Sequence, residues 1–173
     1  MPNLSPEFIE DMRALLGPET DAFLRALDAP AALALRVHRR GEAAMPFIAG
    51  AVPWAEGGFY LRPETRPGTS IAHWAGAFYL QEASAMLPAA VLAARPGERV
   101  LDLCAAPGGK ASQIARAMDG EGALVANEVD PARARVLAGN LERLGVCNAV
   151  VTCEKPDRLA AKWPGFFDVV LVD

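Results

Sequence analysis

The turn at residues 104–110 carries the clearest chemical pattern in this chain. It ends the segment VLDLCAAPGGK, whose short apolar run is interrupted once, by Asp102. Because glycine has no Cβ, Gly108 and Gly109 allow backbone N–H groups to approach a ligand closely. A ligand bound there lies outside the carboxyl end of the strand and near the positive end of the next helix. The turn therefore predicts a nucleotide-binding loop. Its candidate cofactor-binding residues are Cys104, Ala105, Ala106, Pro107, Gly108, Gly109 and Lys110.

Two carboxylates follow the next predicted strand. The segment ALVANEVD ends in Glu128 and Asp130, and Glu128 lies twenty residues after Gly108. A carboxylate can accept two hydrogen bonds at once, so an acid at this strand end typically holds ribose hydroxyls. We expect Glu128 to be the ribose ligand. For Asp130 we favour an N-cap of the following helix over a ribose contact.

The turn lacks the pattern of a dinucleotide site. Its glycines are adjacent and follow a proline, whereas a nicotinamide-binding turn has the spacing G-x-G-x-x-G. A nicotinamide-dependent oxidoreductase shares the strand–turn–helix and the ribose acid, and it is the less favoured alternative. A plain strand–helix–strand unit with a solvated acid is also possible, but turn, spacing and acid agree independently on an adenosine cofactor.

Strands and helices alternate through the second half of the chain. Short apolar runs predict the strands, and apolar residues at helical spacing predict the helices between them. Such alternation indicates an α/β fold, in which a parallel sheet has helices on both faces. The predicted strands are 99–103, 123–127, 149–152 and 167–172, and the predicted helices are 110–118, 131–144 and 157–162. The predicted buried face of helix 131–144 is Val136, Leu137, Leu141 and Leu144.

The first half of the chain contains two predicted helices near its start. One covers residues 6–16 and is capped by Ser5. The second runs through Leu27 and is capped by Thr20 or Asp21.

The segment between these helices and the turn is irregular and rich in proline. Residues 33–37 and 59–61 predict short strands. Residues 81–94 predict a helix that either kinks at Pro88 or begins there, because an interior proline disrupts a helix. We place the domain boundary so that residues 1–72 form an N-terminal domain and residues 73–173 a cofactor domain.

Several segments resemble one enzyme family. LDLCAAPGGK, ANEVDPARARVLAGNLERLG and FDVVLVD resemble the Sun/Fmu (NOP/NSUN-type) RNA cytosine-5 methyltransferases. FYLQEASAMLPAAVL and LALRV resemble elements that precede the cofactor domain in that family. The resemblance implies a Rossmann-like sheet that binds S-adenosylmethionine (SAM), incomplete at its C-terminal end, behind a small α+β domain that binds RNA. The QEAS and NEVD elements favour ribosomal RNA over transfer RNA.

The resemblance also implies a mechanism and the residues that serve it. A cysteine thiolate adds to C6 of cytosine, C5 accepts the methyl group, and loss of the C5 proton releases the thiol. The family's Pro-Cys element directly follows the position of Asp173, which would lie beside the cytosine and the methyl group of SAM. Its Thr-Cys element lies further on. We therefore expect an amino-terminal fragment that lacks the catalytic cysteines and is inactive by itself; a non-catalytic SAM-binding or RNA-binding relative is the alternative.

Three further positions are interpreted through the resemblance. Lys110 is expected to approach the methionine carboxylate of SAM, with a surface lysine as the alternative. Arg133 matches a family position, although an exposed arginine in a first helical turn explains it equally well. Lys155 stands where many members have an aspartate that meets the adenine amino group, and Glu154, Asp157 or backbone groups could substitute.

Charge and cysteine content restrict the partners and the metal sites that the chain can have. The net charge of −4 weakly opposes RNA binding, since phosphate contacts need Lys and Arg. One basic group could still contact RNA or line a solvated loop: Arg36, His38, Arg39, Arg40, Arg62 and Arg66. The three cysteines lack metal-ligand spacing and are expected to be free thiols, with no metal site. The sequence shows no membrane span and no secretory signal, so we expect a cytoplasmic protein.

Overall fold

The computed structural model describes residues 4–38 and 41–173. The chain divides into two compact units, residues 1–32 and residues 33–173. In the described part of the chain, no helix is long and apolar enough to cross a membrane.

The first unit contains two helices, α1 (Pro6–Leu16) and α2 (Thr20–Asp28). The hydroxyl of Ser5 accepts a hydrogen bond from the N–H of Phe8 at 3.2 Å, so the predicted cap of α1 is confirmed. The sequence prediction for the start of α2 is wrong, because Glu19 is the N-cap residue and neither Thr20 nor Asp21 caps the helix. The hydroxyl of Thr20 instead donates to the carbonyl of Gly17 at 2.7 Å.

The second unit begins with an antiparallel sheet in the order β2-β3-β1-β4. Leu35 lies opposite Phe59 on one side and Leu80 on the other. Leu35 and Phe78 are fully buried and form the centre of its apolar core. The strands are β1 (Ala34–Val37), β2 (Ile48–Ala51), β3 (Gly58–Leu61) and β4 (Phe78–Leu80), and a one-turn helix, α3 (Ile71–Trp74), precedes β4.

A parallel sheet in the order β7-β6-β5-β8 follows. Its strands are β5 (Arg99–Asp102), β6 (Ala123–Asn127), β7 (Ala149–Thr152) and β8 (Val169–Leu171). Leu101 lies opposite Val125 of β6 and Val170 of β8. The strand order reverses at β5, and in open α/β sheets a ligand binds at such a reversal, outside the carboxyl ends of the strands.

Helices cover both faces of the parallel sheet, as the sequence predicts. They are α4 (Leu87–Leu92), α5 (Gly109–Ala117), α6 (Pro131–Arg143) and α7 (Pro156–Lys162). Val100 packs in one core with α4, α5 and α6, while Leu101, on the other face, packs against Leu159 of α7. One predicted core residue of α6 is wrong: Val136 is 54% exposed, because the buried stripe passes through Leu137 and Leu141 instead.

Helix α4 is shorter than the predicted helix over 81–94. It begins at Leu87 and contains Pro88 in its first turn, where the missing N–H of proline costs nothing. Of the two interpretations, a helix that begins at Pro88 is therefore the better one.

Helix α5 lies between the two sheets. Its inner side packs on the parallel sheet, and its other side contacts the antiparallel sheet, where Arg116 donates to the carbonyl of Val37. Gln113 donates to the carbonyl of Met86 at 3.0 Å, so the segment before α4 contacts the same helix. Helix α5 is consequently held from two directions. Strand β4 belongs to the antiparallel sheet, and the predicted domain boundary between residues 72 and 73 stays a prediction.

Candidate functional site

Both glycines of the turn lie close to neighbouring side chains, and Gly108 also has a backbone conformation that favours glycine. Gly108 has φ +113° and precedes the first residue of α5, a conformation that other residues rarely adopt. A Cβ on Gly108 would lie 3.3 Å from Leu137 Cδ1, and a Cβ on Gly109 would lie 3.2 Å from Tyr79 Cε1. The turn thus passes closely between α6 and β4, and a Cβ at either position would require the neighbouring side chains to shift by a few tenths of an ångström.

Side chains of α6 hold the carbonyl groups of the turn. Asn140 donates to the carbonyl of Pro107 at 2.8 Å, and Arg133 donates to the carbonyl of Ala106 at 3.2 Å. With these carbonyl groups turned toward α6, the turn is fixed at the carboxyl end of β5. Arg133 therefore has a structural role that neither sequence interpretation included.

Asp102 is the buried carboxylate of this site. It ends β5, is 1% exposed and accepts a hydrogen bond from the N–H of Cys104. Its Oδ2 atom is buried and makes no hydrogen bond with the described residues. Burial raises the pKa of Asp102 to about 6; the Cys104 N–H and the charge of Lys110 oppose this rise, and Asp173 adds to it. The sequence signal for Asp102 was the single carboxylate within an apolar strand.

Lys110 and Asp173 form an ion pair in front of the same strand ends. The Nζ atom of Lys110 lies 2.6 Å from Oδ2 of Asp173. The structure therefore brings together the turn and the residue that follows the end of β8.

Glu128 lies at the carboxyl end of β6 and is 3% exposed. Its Oε1 accepts the N–H of Asp130 at 3.0 Å, and its Oε2 lies 3.1 Å from Nη1 of Arg133. Asp130 accepts the N–H groups of Ala132 and Arg133, so its predicted role as the N-cap of α6 is confirmed. Glu128 and Asp130 thus have different partners, and the carboxylate of Asp130 caps α6.

Asn127 connects the carboxyl ends of three neighbouring segments, and sequence reasoning missed it. Its amide donates to the carbonyls of Leu103 and Glu154, and its oxygen accepts from the hydroxyl of Thr152 at 2.8 Å. The available sequence signal was an asparagine at the end of an apolar strand, and the structure shows that it is fully buried. This network fixes the loop after β7, where Glu154 also pairs with Arg158 at 3.3 Å.

The basic group predicted to contact RNA or line a solvated loop is not one surface. Arg36 is fully buried beneath the turn, so both interpretations of this residue are wrong. His38 is also buried, and Arg62 and Arg66 are exposed. The predictions for Arg39 and Arg40 lie outside the described residues.

The cysteines and histidines form no metal site within residues 4–38 and 41–173. The three cysteines, Cys104, Cys147 and Cys153, are free and exposed. A cavity of about 590 Å³ lies at the opposite edge of the parallel sheet, where Ala117, Asp119 and Asn148 line it. None of the predicted cofactor residues lines it, and the candidate site is therefore the carboxyl edge, where the turn, the reversal of strand order and the buried carboxylates lie.

Two families match the chain in succession. The family described as "N-terminal domain of 16S rRNA methyltransferase RsmF" matches residues 4–83, and the family described as "16S rRNA methyltransferase RsmB/F" matches residues 89–173. Together they cover both the antiparallel sheet and the parallel sheet.

Curated relatives agree with these families. The chain is 36% identical to a ribosomal RNA small subunit methyltransferase F of Pectobacterium carotovorum, over 99% of this chain and 39% of the relative. It is 37% identical to a protein of the same name from Citrobacter koseri, over 96% of this chain and 38% of the relative. The chain spans about two fifths of the length of the curated relatives it matches.

Solved structures show the same fold. A methyltransferase homolog protein from Pyrococcus horikoshii has a TM-score of 0.76 and 30% identity, over 92% of this chain and 60% of that chain. NSun6 from Pyrococcus horikoshii, solved with SFG, has a TM-score of 0.77 and 18% identity over 98% of this chain and 70% of that chain, which shows likeness of fold alone.

Proposed function

This chain belongs to the 16S rRNA methyltransferase RsmB/F family, and we propose that it serves the SAM-dependent methylation of cytosine C5 in small-subunit ribosomal RNA. The family assignment confirms SAM as the cofactor predicted from the sequence. The RNA, the target base and the activity of the whole protein are parts of the proposal. The names of the relatives support ribosomal over transfer RNA, and that substrate would place the protein in the cytoplasm.

The observation that carries the proposal is the buried Oδ2 atom of Asp102, which makes no hydrogen bond with the described residues. A buried acceptor without a partner is costly, and a ligand that donates a hydrogen bond removes that cost. Asp102 lies where β5 meets the glycine turn, at the reversal of strand order. The α-ammonium group of SAM is a donor of the right charge for this carboxylate, so the residues present fit the cofactor.

The other contacts follow from the chemistry of each group. Glu128 would accept the ribose hydroxyls, because its carboxylate is already oriented by Arg133 and by the N–H of Asp130. The turn from Cys104 to Gly109 would line the methionine end through backbone N–H groups. Lys110 would meet the methionine carboxylate or keep its pairing with Asp173. When bound, SAM supplies a methyl group on a sulfonium centre.

We further propose that residues 1–173 bind the cofactor without transferring its methyl group. The implied reaction needs a cysteine thiolate that adds to C6 of cytosine, and so the thiol must face the base. Cys104 belongs to the cofactor turn, while Cys147 and Cys153 flank β7. These positions support a cofactor-binding role for the chain, with Asp173 at the border of the cytosine site.

Two measurements test the proposal. Isothermal titration with SAM should show binding, and NAD should show none under the same conditions; the reverse preference would refute the cofactor assignment for this chain. Incubation with tritiated SAM and either small-subunit rRNA or tRNA should leave both RNAs unlabelled. Transfer of tritium to RNA would overturn the proposed separation of binding from chemistry, and its position would reveal the target base.

A further inference from the structure

Arg36 is the most deeply buried charged residue among those described, and it reaches the cofactor turn. It lies in the middle of β1 and is 0% exposed. Its Nη2 atom donates to the carbonyl of Gly109 at 3.2 Å and to the hydroxyl of Ser112 at 2.5 Å. The hydroxyl of Ser112 in turn donates to the same carbonyl at 3.1 Å. A strand of the antiparallel sheet thus holds the first residue of α5.

The guanidinium of Arg36 has no carboxylate partner among the described residues. Its Nε and Nη1 atoms are buried without hydrogen bonds within that part of the chain. Burial, and then repulsion from Arg116, lowers the pKa of Arg36 to about 9, while Tyr79 slightly opposes this fall. Arg36 remains charged at neutral pH, at a cost in stability that a buried apolar residue would avoid.

The antiparallel sheet makes a second contact with the turn beside the hydrogen bonds of Arg36. Gly109 packs against Tyr79, the middle residue of β4. The sheet therefore supports Gly109 by packing at its Cα and by hydrogen bonds at its carbonyl. Fixing the carbonyl of a residue in an N-terminal helical turn fixes the plane of the next peptide group, and with it the direction of the N–H groups at that helix end.

We propose that Arg36 is a positioning residue, which holds the first helical turn of α5, Gly109–Ser112, so that the N–H groups of this helical turn are oriented for SAM. Strand β1, which belongs to the N-terminal region that the resemblance assigned to RNA binding, would then also set the affinity for the cofactor. This inference rests on the proposed function, because it assumes that SAM occupies the glycine turn.

The test compares two arginines that cross the same interface. Arg36 runs from β1 to the first turn of α5, and Arg116 runs from the last turn of α5 to the carbonyl of Val37 in β1. Isothermal titration with SAM and thermal unfolding would be measured for the wild-type chain, Arg36→Met and Arg116→Met. We expect Arg116→Met to lose stability, whereas Arg36→Met should change stability little, because it removes the cost of burying a charge together with the hydrogen bonds of that charge. Arg36→Met should weaken SAM binding at least tenfold, and Arg116→Met less than twofold.

Conservative variants separate positioning from folding. Arg36→Lys keeps a charged donor that can reach one acceptor, so SAM affinity should recover part of the loss. Ser112→Ala removes one branch of the network and should weaken binding by about threefold. If Arg36→Met does not fold, Arg36→Lys and Ser112→Ala decide the question.

The outcomes distinguish a positioning role of Arg36 from a purely structural role and from failure of the proposed cofactor site. If Arg36→Met binds SAM like the wild type, or if both arginine variants weaken binding equally, Arg36 has a purely structural role and the inference is wrong. The same holds if neither Arg36→Lys nor Ser112→Ala changes the affinity. If the folded wild-type chain does not bind SAM, the proposed cofactor site in this chain fails instead, and the inference fails with it.

Discussion

The ammonium group of Lys110 lies 2.6 Å from a carboxylate oxygen of Asp173, so the first turn of α5 is joined to the residue that follows β8. Both side chains are partly exposed, and the strength of such a pair depends on its surroundings as much as on its distance. Here the surroundings include Asp102, whose pKa responds to both charges in opposite directions. The three residues form one electrostatic group at the carboxyl edge of the sheet.

The first prediction concerns the pKa of Asp102. Lys110→Met should raise this pKa above about 6, because the charge of Lys110 lowers it in the wild-type chain. Asp173→Asn should lower the pKa, because a neighbouring negative charge is removed. Carboxyl carbon chemical shifts in NMR titrations of the two variants measure both changes. Shifts in the same direction in both variants would show that the three residues do not form one electrostatic group.

The second prediction is a pH dependence of stability. The pKa of Asp102 is about 6 in the fold and about 3.8 when unfolded, so the fold binds this proton more tightly. Ionisation of Asp102 therefore reduces stability as pH rises from about 4, and the loss is complete above about pH 6; the full shift corresponds to at most ~3 kcal/mol. Asp102→Asn removes this titration.

Urea unfolding at pH 4.5 and pH 7.5 measures the effect. The free energy of unfolding of Asp102→Asn minus that of the wild type should be larger at pH 7.5 than at pH 4.5. Glu98→Gln is a matched control, since Glu98 accepts the N–H of Arg95 at an exposed position. A stability difference between Asp102→Asn and wild type that stays constant with pH would contradict the assignment of the raised pKa.

The third prediction concerns ribose recognition. Glu128→Ala removes a carboxylate that is buried and oriented by Arg133, so SAM affinity should fall at least tenfold. Asp130→Ala should leave the affinity within about twofold, because its carboxylate caps α6. Calorimetric titration compares the two variants. Unchanged affinity in Glu128→Ala would refute the ribose assignment, and a larger loss in Asp130→Ala would transfer that role to Asp130.

Sequence patterns were sufficient for elements whose residues depend on near neighbours. The run ALVAN predicts β6 to the residue, and Ser5, Asp130 and Gly108 are recognised because caps and tight turns are local interactions. Sequence patterns failed where contacts between distant segments determine whether a residue is buried. Val136 is apolar at helical spacing, yet it is exposed because no element of the described chain packs over it.

Arg36 shows most clearly what local sequence patterns fail to predict. In the sequence it stands beside other basic residues and suggests a charged surface. Its burial depends on Gly109 and Ser112, which lie more than seventy residues further along the chain. Asp102 gave a local signal, a carboxylate in an apolar strand, but the lack of a partner for its Oδ2 atom is visible only in the folded structure. Elements follow from local pattern, whereas the partners of a buried charge follow from topology.

The last prediction separates two reasons for glycine in the turn: a positive φ angle, and the close contact that a Cβ would make with neighbouring side chains. Gly108→Ala combines positive φ with a Cβ 3.3 Å from Leu137 Cδ1, and it should destabilise the fold by about 1–2 kcal/mol. Gly109→Ala has no positive φ, but its Cβ would lie 3.2 Å from Tyr79 Cε1 and from Gln81 Cδ. It should cost less stability than Gly108→Ala and still weaken SAM binding, since it displaces the turn from the antiparallel sheet.

Two glycines elsewhere supply the controls. Gly165 has φ +64° with no atom near the position of a Cβ, so Gly165→Ala measures the cost of a left-handed alanine without a steric contact. Gly139 lies in α6 with open space around it, and Gly139→Ala should stabilise the helix by about 0.5–1 kcal/mol. Chemical unfolding of the four variants should rank Gly139→Ala above wild type, then Gly109→Ala and Gly165→Ala, with Gly108→Ala lowest. If Gly108→Ala were as stable as Gly165→Ala, packing against Leu137 would contribute nothing, and the close approach of the turn to α6 would not be what requires glycine there.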